Sequence, residues 1–241
     1  MSPGDADVPL PPWTRAPQRT PRRRRDPLTQ EAIVDAALAM LDTAGLDLLS
    51  MRRVARSLGT TAGALYWHVG SKDGLLDLVF DRIIGEQPVP DPDPDRWSEQ
   101  VKQVARTMRA TILSHRDVVR LSIGRIPMGP NALRYSDRLV AILRAGGLSP
   151  RLAVSGHQLL MSIVNGFAID ETGEGGRPPT ELPPPDAAMA RDYLATLPAD
   201  RFPHLAELAD HFADDAGDRF ELLLDLFVDG LAQRARGEHV S

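Results

Sequence analysis

The segment 50–76 carries side chains whose types and spacing suit contact with a nucleic acid. Val54 and Leu58 have the spacing of inward-facing residues on one helix, and Gly59 provides a tight turn before a second, short helix. Small residues at the start of the second helix would let its backbone approach base edges, while Tyr and His at its end would reach phosphates. Its exposed side is expected to carry Thr61, Ala62, Gly63, Tyr66, Trp67 and His68. The segment therefore predicts a helix-turn-helix whose second helix reads DNA.

An ordinary helical hairpin in an all-α core is the alternative, because small residues with this spacing also arise by chance. In either case Ala55 would let the two helices cross closely, and Leu65 would pack the second against the first. The adjacent pair Tyr66 and Trp67 favours DNA binding, because two aromatic residues on a short surface helix are hard to bury entirely.

Capping and breaking residues predict where the helices begin and end. Thr29, Ser50 and Ser71 are good N-caps, and Gly45 and Gly59 are typical helix stops. With the apolar periodicity they predict helices over 30–44, 51–58, 62–68, 72–84, 97–114, 117–125, 131–145, 150–170, 186–196 and 215–236. No stretch alternates apolar and polar residues as a half-buried strand does, so an all-α fold is expected.

Composition divides the chain into three parts. Residues 1–27 are rich in Pro and Arg and lack periodicity, which indicates a disordered arm. The Pro-rich stretch 86–95 separates a three-helix helix-turn-helix domain, 28–85, from a larger helical domain, 86–241. Residues 171–186 are rich in Gly and Pro and indicate a long loop within that larger domain.

The charge distribution predicts that only the N-terminal part meets a polyanion. Residues 1–72 hold ten Lys and Arg against seven Asp and Glu, a net +3, whereas the rest of the chain carries −8. The absence of cysteine excludes disulfides and thiolate metal sites. With no signal-peptide pattern and no apolar run of about eighteen residues, a cytoplasmic, nucleoid-associated protein without a membrane partner is expected.

An enzyme is the alternative class of function. The sequence contains no HExxH, no GxSxG and no phosphate-binding glycine loop. No catalytic residue, cofactor or metal site is therefore predicted.

The run LYWHVGSKDGLL, residues 65–76, resembles the end of the DNA-binding domain in the tetracycline-repressor (TetR) family. The stretch HRDVVRLSIGRIP, residues 115–127, and the long helix at 150–170 resemble the family's C-terminal domain. The resemblance implies a ligand-responsive transcriptional repressor, a homodimer that binds a palindromic DNA operator and is released by a small-molecule inducer. A regulator controlled by a protein partner, or one that activates transcription, is the alternative.

The resemblance assigns roles in DNA contact. Arg52 matches a base-contacting position, and Thr61, Ala62 and Gly63 match the base-reading start of the recognition helix. Tyr66 and His68 match phosphate and groove contacts, and Lys72 would meet a phosphate unless it is simply a solvated lysine. For Trp67, packing between helices is favoured over DNA contact.

Other arginines are less closely tied to DNA. Arg53 and Arg56 are expected to be solvated. The run Arg22 to Arg25 would either enter a minor groove or belong to a solubilising tail.

The resemblance also places an inducer pocket and a dimer interface in the larger domain. The helices at 150–170 and 215–236 are apolar on more than one face, so a second subunit is expected to cover them in a four-helix bundle; burial within one chain is the alternative. A ligand could satisfy polar residues that interrupt apolar faces, although each could also be an ordinary core or surface residue. The predicted ligand-binding residues are Ser122, Arg125, Tyr135, Arg138, His157, Met161 and Asn165.

One departure from the family concerns metal. In tetracycline repressors a histidine at the position of Ser122 helps to bind the magnesium of the drug, and Asp170 matches roughly where an acidic residue assists. Because serine removes the strong nitrogen ligand, the expected inducer is a largely apolar organic molecule without a metal.

Overall fold

The computed structural model describes residues 28–172, 187–213 and 216–238, and the regular elements in these ranges are all helical. The predicted all-α class is confirmed. The α-helices are α1 (Gln30–Ala44), α2 (Met51–Ser57), α3 (Ala62–Val69), α4 (Lys72–Ile84), α5 (Trp97–Ser114), α6 (Val118–Ser122), α7 (Pro130–Ala145), α8 (Pro150–Thr172), α9 (Ala187–Ala195), α10 (Pro203–Glu207) and α11 (Ala216–Glu238).

Hydroxyl side chains begin the first helices, as predicted. The Thr29 hydroxyl oxygen accepts a hydrogen bond from the Ala32 amide at 3.1 Å, and Ser71 accepts one from the Gly74 amide at 2.9 Å. Ser50 caps α2 in the same way. Each cap satisfies an amide that the first turn of a helix leaves without a backbone partner.

The sixth helix is shorter than the predicted 117–125. Asp117 has a left-handed backbone, with φ of 58°, and Gly124 has φ of 74°, so neither residue continues the helix. Sequence periodicity also missed α10 and the short 3-10 helices Leu46–Leu48 and Ala209–Ala213. The predicted first residues of α9 and α11, the arm 1–27, and residues 173–186 of the predicted loop lie outside the described residues.

The chain divides into two compact units, residues 1–175 with 231–241 and residues 176–230. In the first unit α1 packs against α2 and α4, while α5, α7 and α8 pack against one another. Its largest fully buried side chains include Ile33, Leu41, Leu65, Leu75, Leu139, Ile142 and Leu143. In the second unit α9 packs against α10 and against Ala209–Ala213.

The helix α8 is long and apolar enough, by length and composition, to cross a membrane. The expectation that no apolar segment is long enough to span a membrane was therefore wrong for α8. The property is weak evidence for a membrane segment, because core helices of water-soluble proteins share it. Here α8 packs against α5 and α7 and buries Ala153, Gly156, Leu160 and Val164.

Candidate nucleic-acid interface and ligand cavity

The helices α2 and α3 form a tightly packed pair joined by a short turn. Val54, Ala55 and Leu65 are at most 2 % exposed, which places them in the contact that the sequence predicted. Gly59 adopts φ of 62°, a left-handed conformation that glycine tolerates without a steric penalty. The amide of Thr60 then donates to the Ala55 carbonyl at 2.9 Å, which closes the turn.

Both ends of α3 are held in place. At its start the Thr61 hydroxyl oxygen accepts from the Ala64 amide at 3.3 Å. At its end the side-chain amide of Gln30, on α1, donates to the His68 carbonyl at 3.1 Å. Gly70 follows with φ of 72° and turns the chain towards α4. The helix therefore presents a defined face to solvent.

The exposed face of α3 combines open backbone with aromatic side chains. A methyl group added at Gly63 would meet only the Thr61 hydroxyl, at 3.9 Å, so packing within the chain does not demand glycine there. Tyr66 is 45 % exposed and Trp67 is 46 % exposed. The expectation that Trp67 packs between helices was therefore wrong, because nearly half of its surface faces solvent. Ala62 and His68 are half-buried.

Basic side chains lie on the helices either side of α3. Arg52 is exposed on the first turn of α2, and Lys72 is exposed as the first residue of α4. Arg56 is also exposed, as expected of a solvated residue, whereas Arg53 donates to the Leu48 carbonyl at 3.3 Å. The contacts of these residues with DNA stay predictions, and the run 22–25 lies outside the described residues.

A cavity of about 130 Å³ lies among α4, α5, α6, α7 and α8. Its wall is mostly apolar, and its apolar lining residues include Phe80, Ile83, Ile84, Met108, Ile112, Val118, Ala132 and Met161. A cavity walled mainly by apolar side chains with a few polar groups is typical of small-molecule sites.

The structure brings six of the seven predicted ligand-binding residues to the wall of this cavity. They are Ser122, Arg125, Tyr135, His157, Met161 and Asn165. The seventh, Arg138, does not line it, and its guanidinium donates to the carboxylate of Asp91. Binding of a ligand by these residues stays a prediction.

Three polar atoms at the cavity wall are buried and have no hydrogen-bond partner among the described residues. They are Tyr135 Oη, His157 Nε2 and Gln87 Oε1. Burial raises the pKa of the Tyr135 phenol above its usual range and lowers the pKa of His157, so both side chains are neutral at pH 7. Buried polar groups without partners are uncommon in folded proteins and cost about 1–3 kcal/mol each, which a ligand could offset.

Gln87, which follows α4 at the start of the Pro-rich stretch, was not predicted from the sequence as a cavity residue. Nothing in its local pattern marked it, because the stretch has no helical periodicity from which to infer an inward face. The stretch is nevertheless ordered by α5, since the side chain of the buried Gln100 donates to the Asp91 carbonyl at 2.7 Å and accepts from the Asp93 amide at 3.0 Å.

Arg125 connects the cavity wall with α4. Its guanidinium donates to the Asp73 carboxylate at 3.1 Å and to the Asp73 carbonyl at 3.3 Å. It also forms an ion pair with Asp77, one turn further along α4. Asp73 immediately follows Lys72, so this cavity residue is tied to the turn that enters α4 from α3.

A second connection joins α4 to the start of α7. The carboxylate of Asp81, which is only 7 % exposed, accepts from the Ala132 amide at 2.9 Å and from the Asn131 amide at 3.3 Å. Burial raises the pKa of Asp81 despite these hydrogen bonds. The Asp81 carboxylate thereby satisfies two amides at the start of α7. Glycine is needed at position 129, because a methyl group on that residue would lie 2.3 Å from the Asp81 side chain.

The chain after α5 makes a third connection, to α1 and the residues that follow it. His115 Nδ1 lies 3.1 Å from the Asp42 carboxylate, and His115 Nε2 lies 3.0 Å from Glu86. Asp117, which has a left-handed backbone at the start of α6, accepts from the Leu46 amide at 2.7 Å. Burial acts to lower the pKa of His115, but hydrogen bonds with Glu86 and Asp42 outweigh it and raise the pKa.

Family models match both parts of the chain. The model for bacterial regulatory proteins of the tetR family matches residues 33–79, and the model for the tetracyclin repressor-like C-terminal domain matches residues 89–235. The first covers the helix-turn-helix, and the second covers every helix that lines the cavity apart from α4.

Individual relatives agree with the family models. An HTH-type transcriptional regulator from Saccharopolyspora erythraea is 31 % identical, and the match covers 92 % of each chain. The HTH-type transcriptional repressor DrrR1 from Streptomyces coeruleorubidus is 30 % identical over 93 % of this chain and 84 % of the relative.

Among solved structures, apo ActR from Streptomyces coelicolor superposes with a TM-score of 0.80, at 42 % identity, covering 89 % of this chain and all of that one. ActR has also been solved in complex with actinorhodin, at a TM-score of 0.78. The family models, the relatives and the shared fold together establish that this chain belongs to the TetR family of DNA-binding transcriptional regulators.

Proposed function

We propose that this protein is a transcriptional repressor that binds a near-palindromic operator as a homodimer and is released by a metal-free small-molecule inducer. The observation that carries the proposal is the position of Arg125, which lines the cavity and is paired with Asp73 and Asp77 on the helix that follows the recognition helix. A ligand in the cavity would thereby act on the DNA-binding part.

The exposed face of α3 would enter the major groove. Open backbone at Gly63 would allow close approach to base edges, and Tyr66 would reach a phosphate. Arg52 would contact a base from α2. Lys72 would meet a phosphate together with the amides at the start of α4.

Apolar side chains left exposed on two helices support a homodimer. On α8, Val154 is 48 % exposed and Leu159 is 54 % exposed. On α11, Leu222 and Leu226 are 59 % and 61 % exposed. A second copy covering these helices would place one recognition helix in each of two major grooves, about 34–36 Å apart or a multiple of that spacing.

The inducer would be a largely apolar organic molecule that carries hydrogen-bonding groups. Apolar residues dominate the cavity wall, and three polar atoms there have no partner among the described residues, so a ligand could supply one. The complex of the similar protein ActR with actinorhodin supports a small-molecule ligand for this chain as well. At the position of the metal-binding histidine, the Ser122 hydroxyl donates to the Val119 carbonyl at 2.8 Å, which favours a ligand without magnesium.

Induction would follow from competition for Arg125. A ligand that draws the guanidinium into the cavity would release Asp73 and Asp77, so that α4 tilts and changes the separation of the two recognition helices. Linkage requires the ligand to prefer this DNA-incompetent arrangement. A coupling free energy of about 1–3 kcal/mol would weaken operator binding roughly 5- to 150-fold.

The proposal is tested by operator binding with actinorhodin as the first probe. A footprint should cover two symmetric half-sites, and actinorhodin should weaken the complex equally with added magnesium and with a chelator. An Asp73→Asn, Asp77→Asn double variant should respond less to the probe, because its α4 no longer depends on Arg125.

Three outcomes would contradict separate parts of the proposal. A single asymmetric half-site bound by monomer would exclude the dimeric mode. A requirement for magnesium would exclude the metal-free inducer. Binding of the probe without loss of operator affinity would exclude induction through the cavity.

A further inference from the structure

A second pocket of about 160 Å³ lies beside the main cavity. Ile84, Gln87 and Tyr135 line both spaces, so these three side chains form a shared wall. The two spaces differ in the proportion of polar side chains. Apolar side chains dominate the wall of the main cavity, whereas the eight residues that line the second pocket include two arginines, an asparagine and a glutamine.

The shared wall holds two of the unpartnered polar atoms. Tyr135 is only 6 % exposed, and neither its hydroxyl nor Gln87 Oε1 has a hydrogen-bond partner among the described residues. The phenol can donate a hydrogen bond and the amide oxygen can accept one. A molecule that extends from one space into the other would pass both atoms and could satisfy both.

Two arginines border the second pocket beyond this wall. Arg134 and Arg138 are one turn apart on α7, and no carboxylate within the described chain lines the pocket with them. Arg138 pairs with Asp91, whose side chain is 90 % exposed, and Arg134 donates to the Asn131 side chain. Exposed ion pairs contribute about 0–1 kcal/mol, so an incoming anion would displace Asp91 into water at little cost.

We propose that the second pocket is an anion-binding subsite, and that the effector is an elongated molecule with an apolar body and an anionic end. The body would occupy the main cavity, and a carboxylate, sulfonate or phosphate would lie between Arg134 and Arg138. Guanidinium groups suit this role because they bind planar and tetrahedral oxyanions through charge-assisted hydrogen bonds. The inference rests on the proposed function, since it assumes that the main cavity takes a ligand.

Two fluorescent probes that share an apolar body test the subsite. N-phenyl-1-naphthylamine is uncharged, whereas 1-anilinonaphthalene-8-sulfonate adds one sulfonate to the same framework. Both are titrated into the full chain, into the double variant Arg134→Gln, Arg138→Gln, and into a control, Arg201→Gln, Arg219→Gln. The control loses the same two charges from exposed arginines that line neither pocket.

The double variant should weaken binding of the sulfonate probe about tenfold or more and change binding of the uncharged probe less than twofold. The control should leave both affinities within twofold of the parent chain, and the two probes should displace each other. Circular dichroism of each variant checks that the fold is retained.

The outcomes separate this inference from the function on which it rests. Suppose that the uncharged probe binds, but that the double variant changes the affinity of both probes equally or of neither. The proposal of an anion-binding subsite is then wrong, and the main cavity remains a ligand site. The same conclusion follows if the probes bind without competing. If neither probe binds, the ligand cavity and the subsite both fail.

Discussion

The helix-turn-helix and the ligand cavity differ in whether their polar groups have hydrogen-bond partners within the described chain. In the helix-turn-helix, Thr61 and Ser71 satisfy amides three residues further along, and the side chains expected to meet DNA lie on the surface. In the cavity, polar atoms of Tyr135, His157 and Gln87 are buried without a partner among the described residues. The capping hydroxyls of the helix-turn-helix are therefore hydrogen-bonded within the chain. The three cavity atoms can still form hydrogen bonds, which a ligand could supply.

The contrast has an energetic consequence. Removing a capping hydroxyl exposes an unsatisfied amide and costs stability, whereas removing an unpartnered buried hydroxyl relieves a cost already present. The same kind of substitution should therefore change stability in opposite directions in the two regions.

Arg52→Ala should weaken specific operator binding by about 1–3 kcal/mol and relax the preference at one base position, if the contact is bidentate. Lys72→Ala should weaken all DNA sequences alike and reduce the slope of log affinity against log salt by about 0.9, because one phosphate contact is lost. Titrations on operator and random DNA at several salt concentrations distinguish the two.

Arg56→Ala is the matched control for Arg52, because it removes an exposed arginine from the same helix. It should leave the specificity ratio unchanged. Equal losses on operator and random DNA for Arg52→Ala would overturn its assignment to a base.

Ser71→Ala should lower the free energy of unfolding by about 0.5–2 kcal/mol, because the Gly74 amide at the start of α4 loses its acceptor. Denaturant titration followed by circular dichroism measures the loss. Ser162→Ala is the control: its hydroxyl donates to the Gln158 carbonyl inside α8, which already takes part in a helix, so little change is expected. A similar loss in both variants would show that capping is not the cause.

Tyr135→Phe should have the opposite sign and raise the free energy of unfolding by about 1 kcal/mol, because the buried hydroxyl has no partner among the described residues. Tyr66→Phe, at an exposed phenol, should change stability by less than about 0.5 kcal/mol. The same denaturant titration serves for both. A clear loss of stability in Tyr135→Phe would mean that its hydroxyl is already satisfied and would remove the contrast between the two regions.

The smallest expected effects are the opposite pH dependences of two histidines. The folded-state pKa of His115 is raised above 6.5, so its contribution to stability is fully present below pH 6.5 and is lost as the pH rises through the folded value. The folded-state pKa of His157 is lowered, so its contribution is present above pH 6.5 and is lost as the pH falls through the folded value.

Substitution by glutamine measures both contributions. The stability difference between parent and His115→Gln should shrink as the pH rises, whereas the difference for His157→Gln should shrink as the pH falls. Denaturant titrations at pH values above and below 6.5 measure how each stability difference changes with pH. Parallel pH dependences would contradict the distinction between a histidine paired with two carboxylates and one whose Nε2 is buried without a partner among the described residues.

Much of the site could be predicted from the sequence, but by two different routes. The caps at Thr29, Ser50 and Ser71 followed from local chemistry, and α1, α4 and α5 have the predicted bounds. Five of the six cavity residues were predicted from polar interruptions of apolar helices together with the family resemblance, and the sixth, Met161, belongs to the apolar face of α8. Gln87 was not predicted, because it lies in a stretch without helical periodicity. Trp67 was predicted to pack between helices, because a short helix gives no clear indication of which aromatic side chain faces inward.

The sequence by itself determined where the first four helices begin and where the chain turns between α2 and α3. A capping oxygen and its amide lie three residues apart, and a glycine turn involves only its neighbours, so these features need no distant partner. Only the tertiary structure decided that Arg125 meets Asp73 and Asp77, which lie 52 and 48 residues before it. Only the tertiary structure likewise left three polar atoms at the cavity wall without partners among the described residues, because burial and pairing depend on which helices come together.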